Sequence, residues 1–192
     1  MPSATRLNLR RYAARPVDLR RSLNGAIAGG VAAAAWAAQQ PADKRVFDSP
    51  MDDVELLGKL VARGDSWPLP GVALHVQNGA AFGAAYAQAR RFVPGPPVCV
   101  ALGAAMVEHL ATWTLVGIVD RLHPRRAELP ALKGNRRAFW QATWRHAIFG
   151  LVLGELERRL NAGAADAEQA AVPASSNGQG SVEAVVGSRG LC

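Results

Sequence analysis

The amino-acid sequence predicts an all-α membrane protein: a four-helix transmembrane bundle with a basic amino-terminal arm and a disordered carboxy-terminal tail. Three observations predict this fold class. Four apolar segments alternate with polar connections, the charged residues gather at the segment ends, and only 19% of the 192 residues are charged. A soluble domain usually carries about 25% charged residues. Between Leu69 and Ala89, and between Val98 and Val119, the only Asp, Glu, Lys or Arg is Glu108.

The four predicted spans cover residues 23–39, 69–89, 98–119 and 138–160. A helix needs about 20 residues to cross the hydrocarbon of a bilayer, and the last three segments reach that length. The first segment is shorter and rich in Ala. The alternative fold is a soluble Ala-rich helical bundle, which the mean hydropathy of +0.03 favours. A soluble helix carries charges along its outer face, however, and the second and third segments do not.

The two ends differ in composition from the predicted membrane domain, residues 22–161. Residues 1–21 form a basic arm, and residues 162–192 are rich in Ala, Gly, Ser and Gln, which predicts a disordered tail. The net charge is +7 and the basic residues flank apolar segments, so the expected partner is the lipid bilayer and not nucleic acid. Six Arg residues before the first span predict cytoplasmic amino and carboxyl termini in a bacterial inner membrane. Six basic residues between the third and fourth spans argue for the opposite orientation.

Two charged regions lie next to the spans. The connection over residues 41–67 is predicted to be polar, with a short amphipathic helix over residues 51–62. Its acidic residues are interpreted as a solvated surface, because their spacing matches no cation-binding loop. Arg145 lies inside the fourth span, and its long side chain is expected to reach the membrane interface beside Trp140 and Trp144.

Three Gly-x-x-x-Gly pairs predict close helix packing. They are Gly25 with Gly29, Gly79 with Gly83, and Gly150 with Gly154. Lipid provides no hydrophobic drive for helix association, so small residues that let backbones approach stabilise membrane bundles. The same motif makes a homo-oligomer or a partner membrane protein an expected contact.

Six polar residues within the apolar segments form the candidate site: His75, Asn78, Glu108, His109, His146 and Glu155. Ionisable groups inside a membrane are costly and are candidates for function. The first hypothesis is that they only make interhelical hydrogen bonds in a structural or accessory protein. The alternatives are a proton or small-solute conducting unit and a haem or metal protein. Neither a metal-ligand spacing nor a catalytic motif is present, which predicts no metal, no cofactor and no enzyme.

The spacing of these residues resembles the uncharacterised YagU-like inner-membrane proteins of bacteria. The resemblance covers about residues 23–160. It is carried in order by Trp36, Pro41 and Arg45; by His75, Phe82 and Tyr86; by His109 and Gly117; and by His146, Glu155, Arg158 and Arg159. It implies an inner-membrane protein with both termini cytoplasmic, and no known chemistry. The chain departs from the family at residues 39–42 and in a His146–Glu155 gap that is one residue longer.

Overall fold

The computed structural model describes residues 16–163. Residues 1–15 of the predicted arm and residues 164–192 of the predicted tail lie outside the described residues. Six α-helices make up most of the described chain: α1 (Leu19–Val46), α2 (Asp53–Val61), α3 (Pro68–Ala89), α4 (Pro97–Trp113), α5 (Val116–Leu122) and α6 (Arg136–Leu160). Residues 16–163 contain no strand, so the prediction of an all-helical fold is confirmed for them.

Helix α1 is longer than the first predicted span at both ends. Asp18 caps it, and its carboxylate accepts a hydrogen bond of 3.0 Å from the Arg21 backbone N–H. The helix continues through Pro41 to Val46, so the predicted loop beginning at residue 41 is wrong over its first six residues. Proline removes one helical hydrogen bond, but the buried face of α1 continues beyond it to Asp43.

The third predicted span is divided into α4 and α5, which are bent by 47° relative to each other. Threonine hydroxyls at the break bond to backbone carbonyls of the preceding turn: Thr112 to Glu108 and His109, and Thr114 to Ala111. Such bonds bend helices. The carboxylate of Asp120 then accepts hydrogen bonds from two backbone N–H groups after the break, those of Leu132 and Lys133. These bonds hold α5 against the following connection.

The four long helices pack side by side in the order α3, α1, α6 and α4. The glycines explain how closely they approach. A Cβ atom added to Gly25, Gly29, Gly79 or Gly83 would lie less than 3.0 Å from an atom of the facing helix, which real Cβ atoms do not do. Gly150 and Gly154 make the same kind of contact with the backbone of α4. The three glycine pairs are therefore used inside the chain, at the α1–α3 and α4–α6 contacts.

Helix α2 adds a close glycine contact outside the three Gly-x-x-x-Gly pairs. A Cβ on Gly58 would meet the Trp67 carbonyl at the start of α3, and a Cβ on Gly71 would meet the Val54 carbonyl. Helix α2 thus lies close against the first turn of α3. Its start is fixed by Asp52, whose carboxylate accepts the Glu55 N–H at 2.9 Å. Asp53 at the start of α2 then accepts hydrogen bonds from Trp36 of α1 and Arg145 of α6.

The interior is built mainly from small side chains, whereas many large apolar side chains face outward. The buried cluster between the long helices includes Ala28, Ala32, Ala33, Ala101 and Ala105. Large side chains that are exposed occur on every long helix: Leu23, Ile27 and Val31 on α1, Leu69 and Val72 on α3, Val107 and Leu110 on α4, and Trp140, Trp144 and Leu151 on α6. Val107, for example, is 69% exposed, whereas the fully charged Arg145 is 0% exposed.

Among residues 16–163, none of the helices by itself has both the length and the apolar composition that a membrane span requires. The bent pair α4–α5 meets both criteria when its two helices are taken together.

Candidate functional site

A cavity of about 520 Å³ lies between α3 and α4. These two helices scarcely touch each other, so a space remains between them, bounded by α1 and α6. Helix α2 closes one end with Asp53, Leu56 and Leu57. The volume falls within the range of about 300–1,000 Å³ that is usual for small-molecule sites. Three aromatic side chains contribute to its wall: Trp36, Phe82 and Phe149.

The cavity wall carries a hydrogen-bonded pair, His146 and Glu108. Nε2 of His146 lies 2.7 Å from Oε2 of Glu108, and Nδ1 lies 2.7 Å from the Ala142 carbonyl. Because a backbone carbonyl can only accept, Nδ1 carries a hydrogen. The bond between Nε2 and Oε2 therefore contains one proton, either as imidazolium and carboxylate or as imidazole and carboxylic acid. In both forms the pair is neutral overall.

His75 faces the same cavity from α3. It is only 7% exposed, and its Nε2 atom has no hydrogen-bond partner among the described residues. A buried polar atom left unpaired costs stability, so native structures usually supply a partner. Trp36 separates His75 from His146, with ring centroids 5.2 Å and 4.6 Å away. The unpaired Nε2 marks His75 as a group that a ligand would satisfy.

His109 lies near this pair but does not line the cavity. It is 1% exposed, and its ring centroid is 4.6 Å from that of His146. Its Nε2 atom is 2.9 Å from the Thr143 hydroxyl, which already donates its hydrogen to the Phe139 carbonyl. His109 Nε2 must therefore donate this hydrogen bond. His109 therefore joins α4 to α6 through a hydrogen bond and a ring contact.

Asn78 and Glu155, the remaining predicted site residues, have different positions. Asn78 lines the cavity one helical turn from His75. Glu155 lies nine residues beyond His146 on α6 and forms ion pairs with Arg158 and Arg159, at 2.8 Å and 2.6 Å. The structure thus brings together His75, Asn78, Glu108 and His146 around one cavity, places His109 behind it, and leaves Glu155 at the end of α6.

Behind the cavity lies a buried charge network that sequence reasoning missed. Arg145 donates two hydrogen bonds of 2.6 Å to the Asp43 carboxylate and one of 2.5 Å to Asp53. Gln141 donates to Asp43 at 2.7 Å, and the indole N–H of Trp36 donates to Asp53 at 3.2 Å. The expectation that Arg145 reaches the membrane interface is wrong, as is the interpretation of Asp43 as solvated, because both side chains are buried.

A signal for this network was present in the sequence. The buried residues of α6 recur at helical spacing and include Ala138, Ala142, Arg145, Phe149 and Leu153. Arg145 therefore belongs to the inner face of α6, together with small and apolar residues. Asp43 lies two turns after Trp36 on the buried face of α1. The predicted first span ends before Pro41, so it does not include Asp43.

Within the described part of the chain, no group of three or more His, Cys, Asp or Glu side chains is arranged to hold a metal ion. The haem or metal hypothesis therefore gains no geometric support. His109 and His146 lie next to each other, whereas Trp36 separates His75 from His146. The ring nitrogens of His109 and His146 bond to a hydroxyl, a carbonyl and a carboxylate, and Nε2 of His75 bonds to nothing among the described residues.

Comparisons of the chain with protein-family models, with curated proteins and with solved structures gave no match.

Proposed function

We propose that this chain is an integral membrane protein of the inner-membrane type, with a structural or accessory role carried by its helix contacts. The observation that carries the proposal is the distribution of polarity. Full charges and hydrogen-bonding side chains lie between the helices, as at Arg145 and Gln141, while Leu23, Val107 and Leu151 face outward. In water this arrangement exposes apolar surface at a cost in free energy, whereas in lipid the same surface is solvated.

The resemblance to the YagU-like proteins and the cytoplasmic placement of both termini are parts of this proposal. The mean hydropathy of α6 is lowered by polar side chains on its buried face, namely Gln141, Arg145 and His146. Contact with lipid depends instead on the outward face, where Trp140, Trp144 and Leu151 are exposed. The pattern of one polar, inward face and one apolar, outward face supports a membrane location.

The full-length chain is expected to sediment with membranes, to resist extraction by sodium carbonate at high pH and to need detergent for solubilisation. Carbonate removes peripheral proteins that bind through charge, a necessary control for a chain of net charge +7. Ultracentrifugation followed by gel filtration measures the result. A chain that remains in the supernatant as a monodisperse species without detergent would contradict the proposal.

The cavity favours a second candidate, a proton or small-solute conducting unit. Its wall contains the proton between Glu108 and His146 and, on the other side of Trp36, the unpaired nitrogen of His75. Purified protein in vesicles loaded with a pH-sensitive dye is expected to conduct protons, and Glu108→Gln is expected to abolish the flux. Glu155→Gln is the matched control, because that carboxylate lies outside the cavity. Flux that is equal in protein-free vesicles would reject proton conduction.

The glycine pairs do not by themselves support an oligomer. All three are covered by helices of the same chain, so they are not available to a second copy. A homo-oligomer or a partner membrane protein would have to contact the outward apolar faces instead.

A further inference from the structure

We infer that the cavity between α3 and α4 is a binding site for a small organic ammonium ion that carries an aromatic or aliphatic group. This inference deepens the second candidate function and rests on its claim that the cavity accepts a solute. It depends on three features of the wall: its charge, the unpaired nitrogen of His75, and its aromatic side chains. Each feature selects a different part of the ligand.

The charge of the wall is negative although the chain as a whole is basic. Asp53 and Glu108 line the cavity, and no Lys or Arg of residues 16–163 lines it. The Glu108–His146 pair is neutral in either protonation form, as its hydrogen bonds require. Asp53 shares the single positive charge of Arg145 with Asp43, so these three groups together carry one net negative charge. A ligand with one positive charge would balance it.

The hydrogen-bonding groups suit an ammonium N–H. The bond to His146 engages Oε2 of Glu108, and the bonds to Trp36 and Arg145 engage Oδ2 of Asp53. The second oxygen of each carboxylate can accept from a ligand. Nε2 of His75 accepts as well when the imidazole is in its Nδ1–H tautomer. A primary or secondary ammonium donates two or three hydrogen bonds, which matches these acceptors.

The rest of the wall suits the carbon skeleton of such a ligand. Phe82 and Phe149 pack edge to face with centroids 5.5 Å apart, and Trp36 packs against Phe149 at 6.2 Å. Aromatic faces attract cations through their quadrupole and also bury apolar groups. Ala33, Ala81 and Ala105 supply the remaining small apolar surface. An anionic solute would instead meet carboxylates without a facing Lys or Arg.

Binding of three probes of similar shape to the purified full-length protein tests the inference. Phenethylammonium, neutral 2-phenylethanol and anionic 3-phenylpropionate are titrated by calorimetry at neutral pH, where an alkylamine is protonated. The ammonium ion is expected to bind at least about tenfold more tightly than the alcohol, since a hydrogen bond to a charged group contributes that much. The carboxylate probe is expected not to bind.

Variants of the wall assign the binding to this cavity. Asp53→Asn keeps the shape of the side chain and removes the net negative charge of the wall, so it is expected to weaken ammonium binding about tenfold while leaving 2-phenylethanol binding unchanged. Phe82→Leu, at a half-buried position, is expected to weaken it about two- to fivefold through the lost cation–π contact. Glu155→Gln is the control and is expected to bind like the native protein. Circular dichroism establishes that each variant is folded.

The outcomes separate the two proposals. Equal binding of the ammonium ion and the alcohol would overturn the inferred ligand class but leave a solute-binding cavity. Binding of none of the three probes by folded protein would overturn the inference, while proton flux in vesicles would still support the second candidate function. Ammonium binding that Asp53→Asn and Phe82→Leu leave unchanged would place the site elsewhere and would also overturn the inference.

Discussion

Replacing Arg145 with Leu is expected to lower the free energy of unfolding by about 3–5 kcal/mol, the cost of removing one partner from a buried ion pair. The guanidinium is completely buried and is bidentate on Asp43, which is itself buried. Without Arg145, the carboxylates of Asp43 and Asp53 would remain close together with no compensating charge. Titration of the protein with a denaturing detergent, followed by circular dichroism, measures the loss.

The control for this prediction is Arg159→Leu on the same helix. Arg159 is 67% exposed in its side chain and pairs with Glu155, so its loss is expected to change stability little. The double variant Arg145→Leu with Asp43→Asn is expected to recover part of the lost stability, because it removes a charge that the single variant leaves unpaired. An Arg145→Leu protein as stable as Arg159→Leu would show that the buried ion pair contributes nothing.

The Arg145 network also illustrates what the sequence left undetermined. Long apolar segments that contain few charged residues are sufficient to predict the long helices, because their length and composition are local properties of the chain. The partner of a buried charge depends on which helices meet in three dimensions. Asp43 and Arg145 are separated by 102 residues, and no local pattern connects them. Without that pairing, each charge was assigned to solvent or to the interface.

The division between α4 and α5 has a similar cause. Residues 98–119 are mostly apolar and contain a single Asp, Glu, Lys or Arg, Glu108, which predicts one continuous helix. The break depends on threonine hydroxyls that bond to carbonyls and on Asp120, whose carboxylate accepts hydrogen bonds from backbone N–H groups of the connection after α5. The sequence shows that Thr and Asp residues are present near the break, and such side chains can compete for backbone hydrogen bonds. Whether they bend the helix depends on how the following segment packs, which the sequence does not show.

The candidate site was predictable in part for the same reason. His75 and Asn78 are one turn apart on α3, and this local relation was read from spacing. The separate roles of His109 and His146 could not be read in that way. They depend on Thr143 accepting from one ring and Glu108 bonding to the other, contacts made across α4 and α6.

The second large effect is expected at the contact between α1 and α3, where Gly83→Leu should destabilise the protein by about 3 kcal/mol, the upper end of typical overpacking costs. A Cβ at Gly83 would collide with the Gly25 carbonyl and the Gly29 backbone, and helix backbone cannot move aside as a flexible side chain can. The two helices would have to separate, which would also open the wall of the cavity next to Gly79.

Gly103→Leu on α4 is the matched control, because a Cβ at Gly103 meets no atom within 4 Å. Leu has a higher helix propensity than Gly, so this variant is expected to be as stable as the native protein or slightly more stable. The two substitutions add the same atoms and reduce the backbone entropy of the unfolded chain equally. They differ only in what faces the new side chain. Equal midpoints for both variants in a detergent titration would mean that α1 and α3 are not in close contact. A loss confined to Gly83→Leu, accompanied by weaker ammonium binding, would instead connect the glycine contact to the shape of the cavity.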